Sequence, residues 1–382
     1  MQQKTNDRRK RTHFLKRLRL WFKRITGWLG KPVIIPYSGY GNEEEIFFIG
    51  CVLEDKGLDK PMPFYTKWQN LIAMVRRFTS DELQGIRVKA TFLGLEEITT
   101  TDQLGIFRFH ITLKNKDVSL PNDRWIDINL ELADDFFNKE NAATKGKVLL
   151  IKPGDSTYGV ISDIDDTILV SHSTRIIRKL RLMFFKNAYT RLPFEGVAGF
   201  YRALNKGYNG ECFNPIFYVS NSQWNLFDLL KDFTDFRHIP PGVMLLQELK
   251  PFRPRKLIKK RRAIAKHPHK LDKIRSIMST YKQLKFVLIG DSGQKDAEVY
   301  QQIAKEFPER VLAIYIREIQ KSSKKRVQNI GTTLKKEGIE MLLIKDTIYA
   351  AMHAIENRLI APQSLADVIH EKKLDRQSNV TI

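Results

Sequence analysis

Cysteine is almost absent from this chain of 382 residues. Cys51 and Cys212 are the only two in the sequence, and they lie 161 positions apart. A secreted scaffold stapled by disulfides needs a dense set of cysteines, so that class of protein is excluded. The cysteine content therefore favours the reducing cytosol, and we expect a cytoplasmic protein.

Long apolar runs are also lacking. No uninterrupted apolar stretch approaches the roughly 20 residues that a transmembrane helix needs. Basic residues interrupt the apolar residues near the start of the sequence and no small-residue cleavage site follows them, so a secretory signal peptide is not predicted. With 42% apolar and 28% charged residues, the chain can nevertheless build cores,. Its length predicts two or three domains.

Acidic residues are scarce in two segments, and this scarcity explains the net charge. The chain carries 65 Lys and Arg against 43 Asp and Glu, a formal net charge of +22. Residues 1–32 hold eleven basic residues and one acid, and residues 249–270 hold ten basic residues and no acid. These two segments supply +20 of the total, so the other 328 residues are nearly neutral. The charge indicates polyanionic partners such as nucleic acid, an anionic membrane or phosphorylated substrates.

The first basic segment, 1–32, has the pattern of an amphipathic helix over residues 14–29. One side of the helical wheel is apolar and rich in aromatic residues, and the other side is basic. The apolar side carries Phe14, Leu15, Leu18, Trp21, Phe22, Ile25, Trp28 and Leu29. This pattern favours a helix that lies in a membrane interface. Packing on the protein's own core and a nucleic-acid-binding arm are the alternatives.

Residues 33–152 are predicted to form a β-rich, sandwich-like domain. Short apolar runs alternate with polar residues there, as in the segment 107–111, which is typical of half-buried antiparallel strands. One helix is predicted at about 67–78. No group of residues in this region suggests a chemical reaction, so we expect a structural or binding role.

Residues 153–362 alternate apolar strands with helical periodicity, and residues 363–382 form a polar tail that is expected to be loose. The predicted strands are Gly159–Asp163, Ile216–Ser220, Phe286–Asp291, Val311–Ile316 and Ile339–Ile344. Strands that alternate with helices indicate an α/β fold with a parallel sheet covered on both faces. In such sheets ligands bind beyond the carboxyl ends of the strands. The residues just after each strand are therefore the candidates for a site.

Carboxylates and small polar residues follow three of these strands. The strings are SDIDDT at 162–167, SNS at 220–222 and GDSGQKD at 290–296, with Lys270 between the last two where a helix is predicted to begin. A lone D-x-D string is most simply a turn with capping acids. Carboxylates at two neighbouring strand ends, however, can hold Mg²⁺, which prefers oxygen ligands. Hydroxyls and a lysine opposite them would neutralise phosphate oxygens.

This order of motifs resembles that of the haloacid dehalogenase superfamily of phosphotransferases. Longer strings are similar to the fungal actin-patch phosphatidate phosphatase family and its bacterial relatives: SDIDDTI at 162–168, RLPFEGV at 191–197, FYVSNSQWNL at 217–226, IPPGVMLL at 239–246 and GDSGQKDAEVY at 290–300. The resemblance covers about 155–360 closely and does not extend to the first 30 residues. It implies a haloacid dehalogenase-like Rossmannoid parallel sheet with a small helical cap, and Mg²⁺-dependent hydrolysis of phosphatidate to diacylglycerol.

The resemblance also implies a role for each motif residue. Asp163 is the implied nucleophile, which forms an aspartyl-phosphate, and Asp165 is the implied general acid and base. The implied phosphate-binding residues are Thr167, Ser220, Asn221 and Lys270. The implied Mg²⁺ ligands are Asp163, the main-chain carbonyl of Asp165, Asp291 and Asp296, the last of them either directly or through another group.

Two of these assignments have open alternatives. Lys266 and Lys273 compete with Lys270 for the role of the phosphate-binding lysine, since the choice rests on spacing alone. Asp166 matches neither motif role and is most simply a turn or capping residue.

The second basic segment, 249–270, lies between the second and third motifs, so it is expected to form a positive rim at the mouth of the site. Residues 175–185 mix apolar and basic side chains at the place where the superfamily inserts its cap. Such a cap would suit a substrate with acyl chains and a phosphate, and packing in the core is the alternative.

The positions of the two basic segments favour a membrane that bears phosphatidate or another anionic lipid, rather than nucleic acid, as the partner. We therefore expect a cytoplasmic enzyme with peripheral membrane association and no nucleic-acid partner, while the sequence indicates no oligomeric state. A phosphatase of a soluble phosphomonoester is the first alternative. A non-enzymatic adaptor that binds membranes or nucleic acid is the second.

Overall fold

The computed structural model describes residues 31–54, 82–133, 143–164, 195–247, 268–319 and 321–380. Several predicted segments lie outside these described residues. They are the amphipathic helix at 14–29, the helix at 67–78, the cap segment at 175–185 and most of the basic segment 249–270.

Seven described strands form the first sheet. They are β1 Pro32–Gly41, β2 Glu45–Glu54, β3 Arg87–Phe92, β4 Leu95–Thr100, β5 Ile106–Thr112, β6 Trp125–Leu132 and β7 Ala143–Leu150. Their order is β4-β3-β6-β7-β1-β2-β5. The β1–β7 pair is parallel and the other pairs are antiparallel. In β5, Phe107, Phe109 and Ile111 are buried while Arg108 and His110 are exposed, so the predicted alternation is confirmed,.

The arrangement of this β-rich region differs from the predicted sandwich. The described strands belong to one hydrogen-bonded sheet, and its two edge strands, β4 and β5, contact each other. The sheet therefore curls around a single apolar core. Alternation along a strand identifies its buried face but not the strand with which it pairs, so the sequence pattern was compatible with both arrangements.

Six described strands form the second sheet, and all of their pairs are parallel. They are β8 Gly159–Asp163, β9 Ile216–Gln223, β10 Val243–Gln247, β11 Phe286–Asp291, β12 Val311–Arg317 and β13 Met341–Ile344. The predicted bounds of β8 and β11 are confirmed at both ends. The short apolar runs of this region are therefore strands of a parallel sheet, as predicted.

Helices cover both faces of the second sheet. They are α1 Val197–Lys206, α2 Phe227–Phe236, α3 Pro268–Thr280, α4 Asp296–Glu306, α5 Lys324–Lys336, α6 Thr347–Glu356 and α7 Ser364–Val380. Successive strand residues enter opposite cores: Val160 lies in the core with α1, α6 and α7, and Ile161 in the core with α3, α4 and α5. The α/β class with a covered parallel sheet is thus confirmed. Among the helices of the described ranges, none combines the length and apolar character needed to cross a bilayer.

The strand order of the second sheet reverses at β8. Strands β9 and β10 lie on one side of β8, and β11, β12 and β13 lie on the other. In doubly wound sheets ligands bind at such a switch point, beyond the carboxyl ends of the strands. Ser162 of β8 pairs with Ile289 of β11, so Asp163 at the end of β8 lies beside Gly290, and Asp291 is the next residue along β11.

The curled sheet supports the helix that carries Lys270. The Tyr40 hydroxyl of β1 lies 2.9 Å from Oγ of Ser276 on α3. Just beyond α3, the Tyr281 hydroxyl donates to the carbonyl of Gly41 at 3.0 Å. These contacts tie α3 and the residues just after it to the β-rich region.

The C-terminal segment is a docked helix, so the prediction of a loose tail at 363–382 is wrong. Val368 of α7 is fully buried, and the Asp375 side chain is 4% exposed. Asp375 Oδ2 accepts a hydrogen bond from the Gly196 amide at 2.8 Å, and Lys372 pairs with Asp346. The prediction rested on the polar composition of the segment. The spacing of Val368, Lys372 and Asp375, however, places all three on one face of a helix.

Candidate active site

Two carboxylates share a buried lysine at the switch point. The ammonium nitrogen of Lys270, on α3, lies 3.1 Å from Oδ1 of Asp163 and 2.5 Å from Oδ1 of Asp296. Each of the three side chains is at most 3% exposed. A buried ammonium group is tolerated only when it is paired, and so are buried carboxylates. The three charges therefore stabilise one another.

Asp296 is held at the start of α4 by contacts to both of its oxygens. Its Oδ1 contacts Lys270, and its Oδ2 accepts a hydrogen bond from the amide of Asp291 at 3.0 Å. The close approach depends on Gly290, because a Cβ atom there would lie 2.6 Å from Oδ2 of Asp296. The glycine of the G-D motif thus makes room for the second acid of the same motif.

The loop after β11 orients Asp291. Oδ1 of Asp291 accepts hydrogen bonds from the amides of Gly293 at 2.7 Å and Gln294 at 2.8 Å. The Gln294 side chain in turn accepts a hydrogen bond from Nδ2 of Asn221 at 3.0 Å. The loop therefore fixes the Asp291 carboxylate and connects the third motif to the second.

The acidic cluster has the donor set of a divalent-cation site. One carboxylate oxygen from each of Asp163, Asp291 and Asp296 lies within 4.8 Å of the others. Oxygen donors are the ligands that Mg²⁺ prefers. These residues fit an oxygen-coordinated cation, and magnesium binding itself stays a prediction.

Ser220 and Asn221 lie at the neighbouring strand end, as the motif order predicted. Val219 of β9 pairs with Asp163 of β8, so Ser220 is the next residue along that edge. Ser220 is fully buried, and its Oγ accepts a hydrogen bond from the amide of Ser222 at 2.8 Å. The structure thus brings these two residues to the edge that carries the acids, and their phosphate-binding role stays a prediction.

Lys270 and Lys273 differ in their described contacts. Lys273 donates to the carbonyl of Leu246 and lies 5.4 Å from the ring centroid of Trp224. Lys266 lies outside the described residues, as do Asp165, Asp166 and Thr167. Lys270 contacts the carboxylates of Asp163 and Asp296, and its role as the phosphate-binding lysine stays a prediction.

Two buried tyrosines with no predicted role lie beneath the acids. The Tyr300 hydroxyl donates to the carbonyl of Ile289 at 2.7 Å, and the Tyr201 hydroxyl lies 2.5 Å from Oγ of Ser162. Burial raises the pKa of both phenols, and the nearby carboxylates, Asp296 first, raise the pKa of Tyr300 further. Both phenols therefore stay protonated. Tyr300 follows Asp296 by four residues on α4, and this helical spacing is the sequence signal that points to it.

A cavity of about 60 Å³ adjoins Asp163 and Asp291. Its polar groups include Tyr201 and Arg317, and much of the remaining wall is apolar. The space admits several water molecules. The carboxylates at the switch point are therefore open to a small polar group.

The second sheet and this cluster define an α/β domain with acids and a lysine at the carboxyl edge of a parallel sheet. Residues 158–318 match the family model described as "Phosphatidate phosphatase APP1, catalytic domain". This part of the chain, less than half of the whole, is similar to that family of catalytic domains.

Two fungal proteins are similar to the same part of the chain. Phosphatidate phosphatase APP1 of Saccharomyces cerevisiae is 33% identical over 164 residues, and an uncharacterized protein of Schizosaccharomyces pombe is 32% identical over 173 residues. Each alignment covers 42% of this chain, but only 26% and 25% of the two fungal proteins. The chain thus spans about a quarter of the length of the curated relatives it matches.

Comparison with solved structures adds nothing to this assignment. A structure from a 1.5-MDa bacterial ice-binding adhesin is 10% identical and covers 34% of this chain and 35% of that chain, with a TM-score of 0.20. A TM-score this low carries no argument about fold or function.

Proposed function

We propose that this chain is a Mg²⁺-dependent phosphatidate phosphatase that hydrolyses phosphatidate to diacylglycerol and phosphate at a membrane surface. The observation that carries the proposal is the group of Asp163, Lys270, Asp291 and Asp296 at the switch point of the sheet. This group lies within the region that matches the phosphatidate phosphatase catalytic-domain family model. The motif order supports membership of the haloacid dehalogenase superfamily.

Asp163 is suited to act as the nucleophile. Its carboxylate stands at the end of β8, beside the cavity, and Lys270 neutralises part of the charge around it. In the first step a carboxylate oxygen forms a bond to phosphorus, and the bond from phosphorus to the diacylglycerol oxygen breaks. Asp165 donates the proton that this leaving oxygen takes up.

The second step releases phosphate. Asp165 takes a proton from a water molecule, whose oxygen attacks phosphorus as the aspartyl–phosphorus bond breaks. This returns Asp163 to its carboxylate form. Lys270, Ser220 and Asn221 would contact phosphoryl oxygens in both steps, because they surround the end of β8.

The acidic cluster would hold the magnesium ion. Carboxylate oxygens of Asp163 and Asp291 and the main-chain carbonyl of Asp165 would be its ligands, and Asp296 would orient the site. Both oxygens of Asp296 already contact the protein, at Lys270 and at the Asp291 amide, which favours an indirect role for this residue. When bound, Mg²⁺ offsets the repulsion between the nucleophilic carboxylate and the phosphate.

The substrate and the membrane surface rest on the family and on the charge distribution. The family description names phosphatidate phosphatase, and two segments of the sequence, 1–32 and 249–270, carry +10 each. Each Lys or Arg near an anionic lipid surface adds about 1 kcal/mol of attraction. A lipid phosphate displayed on a membrane is therefore the phosphomonoester that best fits both observations.

The deciding experiment is phosphate release from liposomes that contain phosphatidate, with a panel of soluble phosphomonoesters assayed in parallel. We expect release from the liposomes that depends on added Mg²⁺ and is lost in Asp163→Asn. The matched control is Asp235→Asn, which removes an exposed carboxylate on α2, away from the site. Release from the soluble compounds alone would replace phosphatidate by a soluble substrate. No release from any substrate would favour the non-enzymatic adaptor.

A further inference from the structure

Arg326 lies eight residues beyond the part of the chain that matches the catalytic-domain family. From the first turn of α5 it reaches back to the loop after β11. Its Nη2 atom donates to the carbonyls of Ser292 and Gln294, each at 3.0 Å. Its Nη1 atom pairs with Glu298 in the first turn of α4. One guanidinium therefore joins both ends of the tripeptide Ser292-Gly293-Gln294 to a neighbouring helix.

The same tripeptide orients Asp291. The amides of Gly293 and Gln294 donate to Oδ1 of Asp291 at 2.7 and 2.8 Å. Arg326 donates to two carbonyls of this tripeptide, and two amides of the same tripeptide donate to Asp291. A rotation of the loop away from Arg326 would therefore turn these amides away from the carboxylate.

Other contacts fasten the Ser292 end of the loop. The Ser292 amide donates to the carbonyl of Arg317 at 2.8 Å, and Oγ of Ser292 accepts a hydrogen bond from the Ile319 amide at 2.9 Å. Arg326 adds a backbone contact at the Gln294 end. That end is nearest to Asn221, whose side chain bonds to Gln294. Arg326 thus acts on the part of the loop that joins the second motif to the third.

We propose that Arg326 is a positioning residue that preorganises Asp291 for a divalent cation. The inference rests on the metal site of the proposed function. Outer groups that orient a metal ligand typically change metal affinity about 10–100-fold when they are removed. Because Nη2 spans two carbonyls while Nη1 reaches Glu298, the role needs the planar fork of arginine, and the single ammonium of lysine cannot reproduce it.

The test measures Mn²⁺ binding to the full chain by electron paramagnetic resonance, with Mn²⁺ as an oxygen-seeking substitute for Mg²⁺. The variants are Arg326→Gln, Arg326→Lys, Asp291→Asn as the reference without the site, and Arg310→Gln as the matched control. Arg310 also donates to backbone carbonyls, those of Leu284 at 2.8 Å and Tyr281 at 2.6 Å. Arg310 precedes β12 at the opposite, amino edge of the sheet. Its variant therefore tests whether the loss of any arginine that donates to backbone carbonyls weakens the metal site.

We expect both Arg326 variants to bind Mn²⁺ about 10-fold or more weakly, and Arg310→Gln to bind it like the wild type. In metal-free protein, hydrogen exchange at the amides of Gly293 and Gln294 should be faster in the Arg326 variants and unchanged in Arg310→Gln. Wild-type Mn²⁺ affinity and exchange in both Arg326 variants would overturn the positioning role and leave the metal site standing. Absence of Mn²⁺ binding to the wild type, or equal binding to Asp291→Asn, would overturn the metal site and this inference with it.

Discussion

Lys270 and Asp296 form a buried ion pair in which the ammonium nitrogen lies 2.5 Å from Oδ1. The two side chains are 1% and 2% exposed, so water compensates neither charge. Oδ2 of Asp296 accepts a hydrogen bond from the Asp291 amide. The pair therefore links α3 and α4 to the end of β11, and it sets the electrostatic balance around Asp163.

Replacing the lysine should break this balance. Lys270→Met leaves Asp163 and Asp296 near each other without a cation, and breaking a buried pair costs about 3–5 kcal/mol. We expect the free energy of unfolding to fall by about that amount in urea titrations followed by circular dichroism. Phosphate release from phosphatidate liposomes should fall to the level of Asp163→Asn.

The control for this variant is Lys273→Met on the same helix, because Lys273 donates to the Leu246 carbonyl. It should retain phosphate release. If Lys270→Met released phosphate at the wild-type rate and Lys273→Met did not, Lys273 would be the phosphate-binding lysine.

Gly290→Ala should disturb the same pair without removing a charge. The new Cβ atom would lie 2.6 Å from both Cβ and Oδ2 of Asp296. Overpacking of this kind costs about 1–3 kcal/mol and would move Asp296 away from the Asp291 amide. We expect a lower midpoint of urea unfolding and a lower kcat on phosphatidate.

Gly331→Ala is the matched control for the glycine prediction. Gly331 lies within α5, where the nearest atom to an added Cβ is the Met341 carbonyl oxygen at 3.4 Å. Alanine there should stabilise the protein by about 0.5–1 kcal/mol, because glycine is the poorer helix former, and it should leave kcat unchanged. Equal kcat values for Gly290→Ala and the wild type would show that Asp296 tolerates displacement.

The core of the candidate site was predictable because its residues follow directly from strand ends. An apolar run that ends in a carboxylate gives both the strand and the position of its acid, as at β8 and β11. Lys270 was harder to identify, since three lysines have similar spacing, and its contact with Asp163 and Asp296 depends on the packing of α3. Chain order and strand order together thus account for the positions of the acids, whereas the position of Lys270 beside them depends on tertiary packing.

Contacts between distant segments could not be predicted from the sequence. Arg326 reaches the loop after β11 across 32 to 34 positions, with no motif that marks it. The pairing of the β-rich strands and the docking of α7 likewise depend on which surfaces meet. In α7 the buried residues include Lys372 and Asp375, although charged residues are normally exposed. Their burial is explained by their partners on other elements, Asp346 and the Gly196 amide.

The docking of α7 predicts opposite pH trends for the buried Asp375 and the half-buried Asp346. Burial raises the pKa of Asp375 above its ordinary value of 3.8, against the lowering effects of the Gly196 amide and Arg237. The native state therefore binds this proton more tightly than the unfolded state does. The stability that Asp375 contributes is largest below pH 3.8 and is lost as the pH rises through the raised pKa,.

Asp346 should show the reverse trend. Burial alone would raise its pKa, but the hydrogen bonds from Lys372 and the Ile348 amide, together with the charges of Lys372 and Arg376, lower the pKa overall. Its contribution is thus present above pH 3.8 and is lost as the pH falls through the lowered pKa,. In urea titrations from about pH 3 to pH 7, the stability lost in Asp375→Asn should shrink with rising pH, and the stability lost in Asp346→Asn should grow. If the stability lost in the two variants changed in the same direction with pH, the contacts that dock α7 would not explain it.

Deleting residues 1–30 should separate membrane attachment from chemistry. The deletion removes ten basic residues and the apolar side of the predicted amphipathic helix, so binding to anionic liposomes should weaken. Turnover of a small soluble phosphomonoester should stay nearly unchanged, because the acids and Lys270 are retained. Co-sedimentation with liposomes of increasing anionic lipid content measures the first effect, with neutral liposomes as the control. Equal liposome binding by the full and shortened chains would indicate that this helix packs on the protein's own core.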